Sequence, residues 1–207
     1  MKVLGIIGGG KLGRAIARAA LTSGWTVLVH DLAPVPELFS LVDGNESAKL
    51  VDGPELAQHS DVILLAVPFE ASAELDWSLF TDRIVLDAMN QWSTIGETEH
   101  APAISTTTSV QARNPQMRLV KSLNHFSYHD YRDDKRALDV AAHRAMAVIS
   151  DDIEAAVVVA GLVRDIGYAP VIAGMDCAHL LDPKGPVFGA DVDEPGMRGL
   201  LGVTRNH

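Results

Sequence analysis

The chain has 207 residues, 47% of them hydrophobic and 21% charged, with a formal net charge of −10 and one cysteine. This composition belongs to a folded chain, and its acidic balance argues against general affinity for nucleic acid or an anionic membrane surface. One cysteine excludes an intrachain disulfide framework and a thiolate zinc cage, and the length excludes a dinucleotide-binding fold joined to a second full-sized substrate domain.

Lys2 to Ile7 is a short apolar run that stops at Gly8-Gly9-Gly10 and predicts a strand. It is too short for a signal core, and the longest apolar run, Val62 to Val67, falls far short of the ~20 residues that cross a bilayer. A cytoplasmic protein without membrane contact is expected. Leu12, Ile16, Ala19 and Ala20 follow with helical spacing until Gly24. Trp25 to Val29 predicts a second strand, closing on His30-Asp31, and a loop carrying Pro34 and Pro36 comes next. Ala48 to Val51 predicts a brief third strand and Pro54 to His59 a short helix, with proline in its first turn. Asp61 to Pro68 (DVILLAVP) is apolar on both faces, as a strand covered by helices on each side must be. Glu70 to Phe80 predicts a helix, Arg83 to Ala88 a strand, Ser109 to Arg113 a helix and Arg118 to Leu123 a strand. Arg144 to Ile149 predicts another strand, Asp152 to Ile166 a helix and Tyr168 to Ile172 a last strand.

Strands alternating with helices imply an α/β fold with a doubly wound parallel sheet. The expected organisation is a Rossmann dinucleotide-binding domain over residues 1–174 and a C-terminal arm or cap over 175–207 that is not an independent domain. From Asp182 onward, prolines and glycines punctuate a segment of little periodicity, read as an ordered loop or arm.

Gly8-Gly9-Gly10-Lys11-Leu12-Gly13 fits the G-x-G-x-x-G fingerprint between a predicted strand and a predicted helix, with Asp31 at the end of the next strand. Gly8 permits the tight turn, Gly10 lets backbone approach a pyrophosphate, and Gly13 lets the helix pack closely on the strand. Lys11 and Leu12 open that helix. Asp31 can accept hydrogen bonds from adenosine ribose hydroxyls and repels a 2′-phosphate, which favours NAD; His30 is a candidate to meet the adenine edge, the alternative being a plain strand-end histidine. In such sheets ligands bind beyond the carboxyl ends of the strands, where this chain carries Val67-Pro68, Met89-Asn90 and Asn124-His125. Asn90, Asn124 and His125 are therefore candidates to meet a nicotinamide or its ribose. His125, His129 and Asp130 do not form a metal motif, and Cys177 has no nucleophile signature around it. No G-x-S-x-G and no P-loop lysine occur, so no hydrolase or kinase is expected.

The fingerprint at Gly8 to Gly13, DVILLAVPFEA at 61–71, IVLDAMNQ at 84–91 and LVKSLNHF at 119–126 occur in this order. With AVISDDIEAAVVVAGLVRDIGYAPVIAG at 147–174 and AHLLDP at 178–183, the chain resembles the NADP oxidoreductases that depend on the deazaflavin coenzyme F-420. The resemblance implies hydride transfer between NAD or NADP and a deazaflavin or flavin-like acceptor. It implies that Gly8, Gly10, Lys11, Leu12 and Gly13 bind the pyrophosphate and that Pro68, Asn90 and Asn124 border the nicotinamide. It further implies that His125, and less closely His179, approach the second ring, and that the protein is a homodimer. NADP-using members carry Ser-Arg after the second strand where this chain has His30-Asp31, so the resemblance favours NADP and Asp31 favours NAD. The alternatives are a reductase of a small carbonyl or imine compound and a non-catalytic dinucleotide sensor. With about 170 residues in the nucleotide fold, about 35 remain to cover a substrate, which suits a flat cofactor in an open cleft better than an enclosed small molecule.

Overall fold

Val, Leu and Ile side chains crowd β1 (Val3–Ile7), and a strand so apolar on both faces is stable only inside a sheet covered on both sides. The computed structural model, which describes residues 2–92, 106–133 and 144–203, places β1 in an eight-stranded sheet of order β3-β2-β1-β4-β5-β6-β7-β8. The other strands are β2 (Thr26–His30), β3 (Ala48–Leu50), β4 (Val62–Leu65), β5 (Ile84–Asp87), β6 (Arg118–Lys121), β7 (Ala145–Ile149) and β8 (Ala169–Ala173). Strand order reverses beside β1, between β2 and β4, and the crevice at such a switch point is where this class of sheet holds its ligand.

The α/β reading holds, and the sheet is parallel from β3 through β6. The last two strands depart from it. β7 pairs antiparallel with β6 through Lys121 and Ile149 alone, and β8 runs parallel to β7. Strand direction follows from the connection after β6, which apolar periodicity does not encode. Because β7 overlaps β6 only at its end, its inner edge needs other partners. Ser122 Oγ donates to the carbonyl of Ala147, and His125 Nε2 accepts from the Ala147 N–H.

Seven α-helices lie among the described residues: α1 (Lys11–Thr22), α2 (Pro36–Val42), α3 (Gly53–His59), α4 (Thr106–Arg113), α5 (Asp130–Asp133), α6 (Ile153–Asp165) and α7 (Glu194–Leu201). Ile16, Ala20, Val159 and Val163 pack on one face of the sheet, and Leu56, Phe80 and Val110 on the other. On its outer side α6 leaves Ile153, Val157 and Val158 exposed.

Three elements differ from expectation. The prolines at 34 and 36 do not keep the segment a loop, because Pro36 sits in the first turn of α2 and Leu38 and Leu41 are buried one turn apart. The helix expected over 70–80 is two separate 3-10 turns, Ala71–Glu74 and Trp77–Phe80, interrupted by extended backbone at Leu75 and Asp76. The segment after β8 is more regular than its composition suggests. It forms a 3-10 helix, Met175–Leu181, and then α7, which Asp193 caps through the Gly196 N–H and Gly202 ends in a left-handed conformation. Met197 and Leu201 of α7 pack against Ala145, Ala147 and Val171 of the last two strands.

At the start of β6, Arg118 makes a paired contact with Asp152, the N-cap of α6, at 2.6 and 2.9 Å. That guanidinium, helped by the Ala155 N–H, holds the Asp152 carboxyl down to about 2. A carboxylate depressed in the folded state adds stability above its unfolded value near 3.9 and loses it as pH falls through the folded value. Asp152→Asn is therefore expected to lower the unfolding free energy from urea titration at pH 7 by a small amount, about 0.5–1 kcal/mol for a pair this exposed. The gap to the parent chain should close between pH 4 and pH 2, and an unchanging gap there would rule out the linkage.

Candidate active site

The first βα turn is held by contacts that require glycine. Gly8 has φ +106°, its N–H donates to the carbonyl of His30 at 2.9 Å, and a Cβ there would lie 2.6 Å from the oxygen of Ala66. A Cβ on Gly13 would lie 2.0 Å from the oxygen of Gly8, so helix α1 sits directly against the turn. Gly10, the N-cap of α1, differs: a Cβ on it meets nothing within 4 Å. The first backbone N–H groups of α1 lack partners within the helix, so this open corner is where an anionic group can be held.

Asp31 turns its carboxylate back toward the turn. One oxygen accepts from the Gly9 N–H at 2.5 Å and the other from the Ala33 N–H at 2.8 Å. Each carboxylate oxygen has a further lone pair, so both remain able to accept from a ligand hydroxyl. His30 is half-buried, with Nδ1 3.2 Å from the carbonyl of Val51, to which it donates.

A cleft of about 860 Å³ opens at the carboxyl ends of β1, β4, β5 and β6. It brings together Gly10, Lys11, Leu12, Pro68, Asn90, Asn124 and His125 of the residues singled out in the sequence. Gly8, Gly13, His30 and Asp31 lie outside its lining, behind or beside the turn. His179 is exposed and also outside it, its ring bonded to the carbonyl of Asp176.

The floor of the cleft is a connected polar layer. Asn90 Nδ2 donates to the backbone carbonyl of Asn124 at 2.8 Å, and Asn124 Nδ2 donates to Asn90 Oδ1 at 2.9 Å and to the carbonyl of Leu181 at 2.8 Å. His125 is fully buried, and burial, with the nearby charges of Lys121 and Arg144, holds its imidazole down to about 3. It is a neutral ring at pH 7. Beneath this layer Lys121, with no exposed surface, reaches Asp87 at 3.4 Å, Asp182 at 3.3 Å and the carbonyl of Met89 at 3.3 Å.

The walls hold residues that the sequence reading passed over. Trp92 meets Phe188 edge to face at 5.9 Å, and Lys11 Nζ lies 5.3 Å from the centre of the Tyr128 ring. Arg144 stacks 3.6 Å from the Phe126 ring, bonds to the carbonyl of Ala190 and pairs with Asp130 at 3.1 Å. Trp92 directly follows a strand-end segment already suspected, so its position was a usable signal. Phe188 reaches the cleft through the folding-back of the C-terminal segment and Arg144 through the placement of β7, and no local pattern encodes either. Among the described residues no three His, Cys, Asp or Glu side chains are grouped to hold a metal ion, and no helix is long and apolar enough to cross a membrane. Cys177 is buried and its thiol is pushed up by burial and the nearby Asp176.

The fold has known counterparts. Residues 3–91, from β1 through the end of β5, match the family described as NADP oxidoreductase, coenzyme F420-dependent. That match spans less than half of the chain. The rest of the chain is placed by fold rather than by that match. A solved structure of a hypothetical protein from Sinorhizobium meliloti is 22% identical, with a TM-score of 0.76, covering 94% of this chain and 96% of that one. A protein from Arthrobacter sp. FB24, provisionally named an F420-dependent NADP reductase, is 20% identical with a TM-score of 0.72, covering 97% and 94%. An imine reductase variant from Myxococcus stipitatus, solved with NAD+, is 21% identical with a TM-score of 0.61, covering 86% of this chain and 57% of that one. At these identities the likeness is one of fold. Among curated sequences, the erythronate-4-phosphate dehydrogenase of Shewanella woodyi is 36% identical over 90 residues. The aligned stretch is 43% of this chain and spans 21% of that relative's length.

Proposed function

We propose that the protein is an NAD(P)-dependent oxidoreductase that passes hydride between a nicotinamide and a deazaflavin or flavin-like acceptor bound in the same cleft. The cleft carries this reading: about 860 Å³, near the top of the ~300–1,000 Å³ range of small-molecule sites, with Trp92, Tyr128 and Phe188 in its lining. Such walls suit a second flat ring laid on the first. The residues present also fit a dinucleotide. The corner at Gly10 leaves room for a pyrophosphate against the first N–H groups of α1, and Asp31 retains lone pairs for ribose hydroxyls. Pro68 and Asn90 then border the nicotinamide, and Asn124 and His125 form the floor beyond it.

Bound there, the nicotinamide supplies or takes up the hydride. The protein's own contribution is to hold two rings at contact distance in one orientation, which is most of what this chemistry requires. His125, neutral at pH 7, does not deliver a proton, in keeping with an acceptor that needs none from a side chain. The match of residues 3–91 and the Arthrobacter protein support the same reading.

One observation favours a second reading, reduction of an imine or carbonyl compound. The Tyr128 phenol lines the cleft with the Lys11 ammonium 5.3 Å from its ring centre, and a hydroxyl in that place is a proton donor for a reduced nitrogen or oxygen. Nicotinamide absorbance decides between them when the pure protein is mixed with NADH or NADPH and a deazaflavin, a flavin or a cyclic imine in turn. Oxidation by the deazaflavin or flavin is expected. Turnover with the imine alone, abolished by Tyr128→Phe, would replace this reading with the second, and tight dinucleotide binding without turnover would make the protein a sensor.

Asp31 sets the choice of dinucleotide. Asp31→Ser removes the charge that repels a 2′-phosphate and leaves a short acceptor, so the NADPH-to-NADH ratio of kcat/KM is expected to rise at least about tenfold. An unmoved ratio would take Asp31 out of the ribose site.

A further inference from the structure

Two buried polar atoms of consecutive residues, Asn124 Oδ1 and His125 Nδ1, have no hydrogen-bond partner among the described residues. Both residues line the cleft, and each is at least 99% buried. Buried polar atoms are nearly always paired in folded proteins, so an orphan acceptor and an orphan donor at the edge of a cleft point to a ligand.

Their roles are fixed by neighbours that have only one role to play. The carbonyl of Leu181 can only accept, so the Asn124 atom 2.8 Å from it is the amide nitrogen. That leaves Oδ1 as an acceptor. The Ala147 N–H can only donate, so His125 Nε2, 3.4 Å away, offers its lone pair. In a neutral imidazole the proton then sits on Nδ1, which is a donor. The acceptor and the donor belong to consecutive residues just beyond the end of β6, one strand over from Asn90, and both residues line the cleft.

We infer that this floor recognises a planar ring whose edge carries an N–H beside a C=O, with Asn124 Oδ1 accepting from the N–H and His125 Nδ1 donating to the C=O. The inference rests on the function proposed above, and both flat partners named there carry such an edge: the carboxamide of a nicotinamide and the imide of a flavin or deazaflavin. A simple ketone or imine does not. The His125 ring thereby has two duties, bridging the gap in the β6–β7 ladder through Nε2 and reading the ligand through Nδ1.

The test compares each partner with an analogue that keeps the carbonyl and loses the N–H. Dissociation constants are measured for NADH against reduced 3-acetylpyridine adenine dinucleotide, and for riboflavin against N3-methylriboflavin. At least about tenfold weaker binding of one analogue is expected, since a site built around a hydrogen bond rejects a ligand that cannot make it. The pair that shows the loss identifies which ring sits on the floor. Because substituting His125 also removes the partner of Ala147, the second measurement needs no substitution. In ¹⁵N spectra of histidine-labelled protein, His125 should be neutral with its proton on Nδ1, and that signal should move when the discriminated ligand is added. Binding of both parents with no discrimination, or a proton on Nε2, would overturn this inference and leave the proposed function standing. Failure of NADH and NADPH to bind at all would remove both.

Discussion

Gly10→Val should abolish dinucleotide binding and leave the fold intact, whereas Gly13→Ala should damage both. At Gly10 the backbone is extended (φ −66°, ψ −169°), a conformation open to any residue, and a Cβ meets nothing within 4 Å. Valine is a poorer N-cap than glycine, so a stability loss below about 1 kcal/mol is expected. Its isopropyl group, however, stands in the corner that the first N–H groups of α1 face. A loss of at least about 100-fold in NADH affinity is expected, equal to about 2.8 kcal/mol. At Gly13 the added methyl meets the backbone oxygen of Gly8 at 2.0 Å, and backbone cannot step aside as a flexible side chain can. Overpacking of this kind costs about 1–3 kcal/mol and displaces the turn, so the unfolding midpoint and the affinity fall together. Titration of NADH fluorescence with thermal melts of both variants checks the pair. Wild-type affinity in Gly10→Val would place the pyrophosphate elsewhere, and a wild-type melt for Gly13→Ala would show that the helix can lift off the turn.

The same contrast shows how far the sequence could be read. The glycine fingerprint, the apolar run at 61–68 and the strand ends at Asn90 and Asn124 are local patterns, and local patterns predict local structure. The turn, six parallel strands and seven residues of the cleft lining follow from them. Direction and register of β7 do not, because they depend on how the chain returns after β6, and nothing in RAMAVI distinguishes the two directions. Helix α2 was hidden by reading Pro34 and Pro36 as loop signals, although proline in the first helical turn is compatible with Leu38 and Leu41 burying one turn apart. In α7 the Asp193 cap and the closing Gly202 are both local signals, and the surrounding glycines and prolines masked them. The opposite wall of the cleft was invisible for a different reason. Phe188 and Arg144 come from segments distant from Trp92 and Phe126 in the sequence, and only the packed C-terminal region and the return of β7 bring them together. Lys121 is the clearest case: within RLVKSL it reads as an ordinary strand residue, yet it has no exposed surface.

Lys121→Met is expected to destabilise the fold by about 3–5 kcal/mol, the usual consequence of removing one partner from a buried ion pair. Asp87 is as buried as Lys121, and its remaining side-chain contacts among the described residues are the Met89 N–H at 2.9 Å and the Thr107 hydroxyl at 3.1 Å. Two neutral donors do not offset a carboxylate left without its cation. Asp182, with a side chain 19% exposed, can turn to water and contributes less to the loss. Adding Asp87→Asn to Lys121→Met removes the stranded charge while keeping an acceptor for the Met89 N–H, so the double variant should regain most of the stability. Urea unfolding of the two single variants and the double gives the coupling directly. Equal losses for Lys121→Met with and without Asp87→Asn would show that the lysine stem, packed in the core, matters more than its charge. A second effect separates structure from site. Lys121 also holds the carbonyl of Met89, the residue before Asn90, and through Asp182 it ties the C-terminal segment to β6 next to the Leu181 carbonyl that orients Asn124. In the double variant the ammonium is still absent, so the cleft floor loses this support even where the fold recovers. Stability should therefore return while NADH affinity stays below that of the parent chain. A full return of both would make Lys121 a partner of Asp87 alone, with no part in positioning the floor.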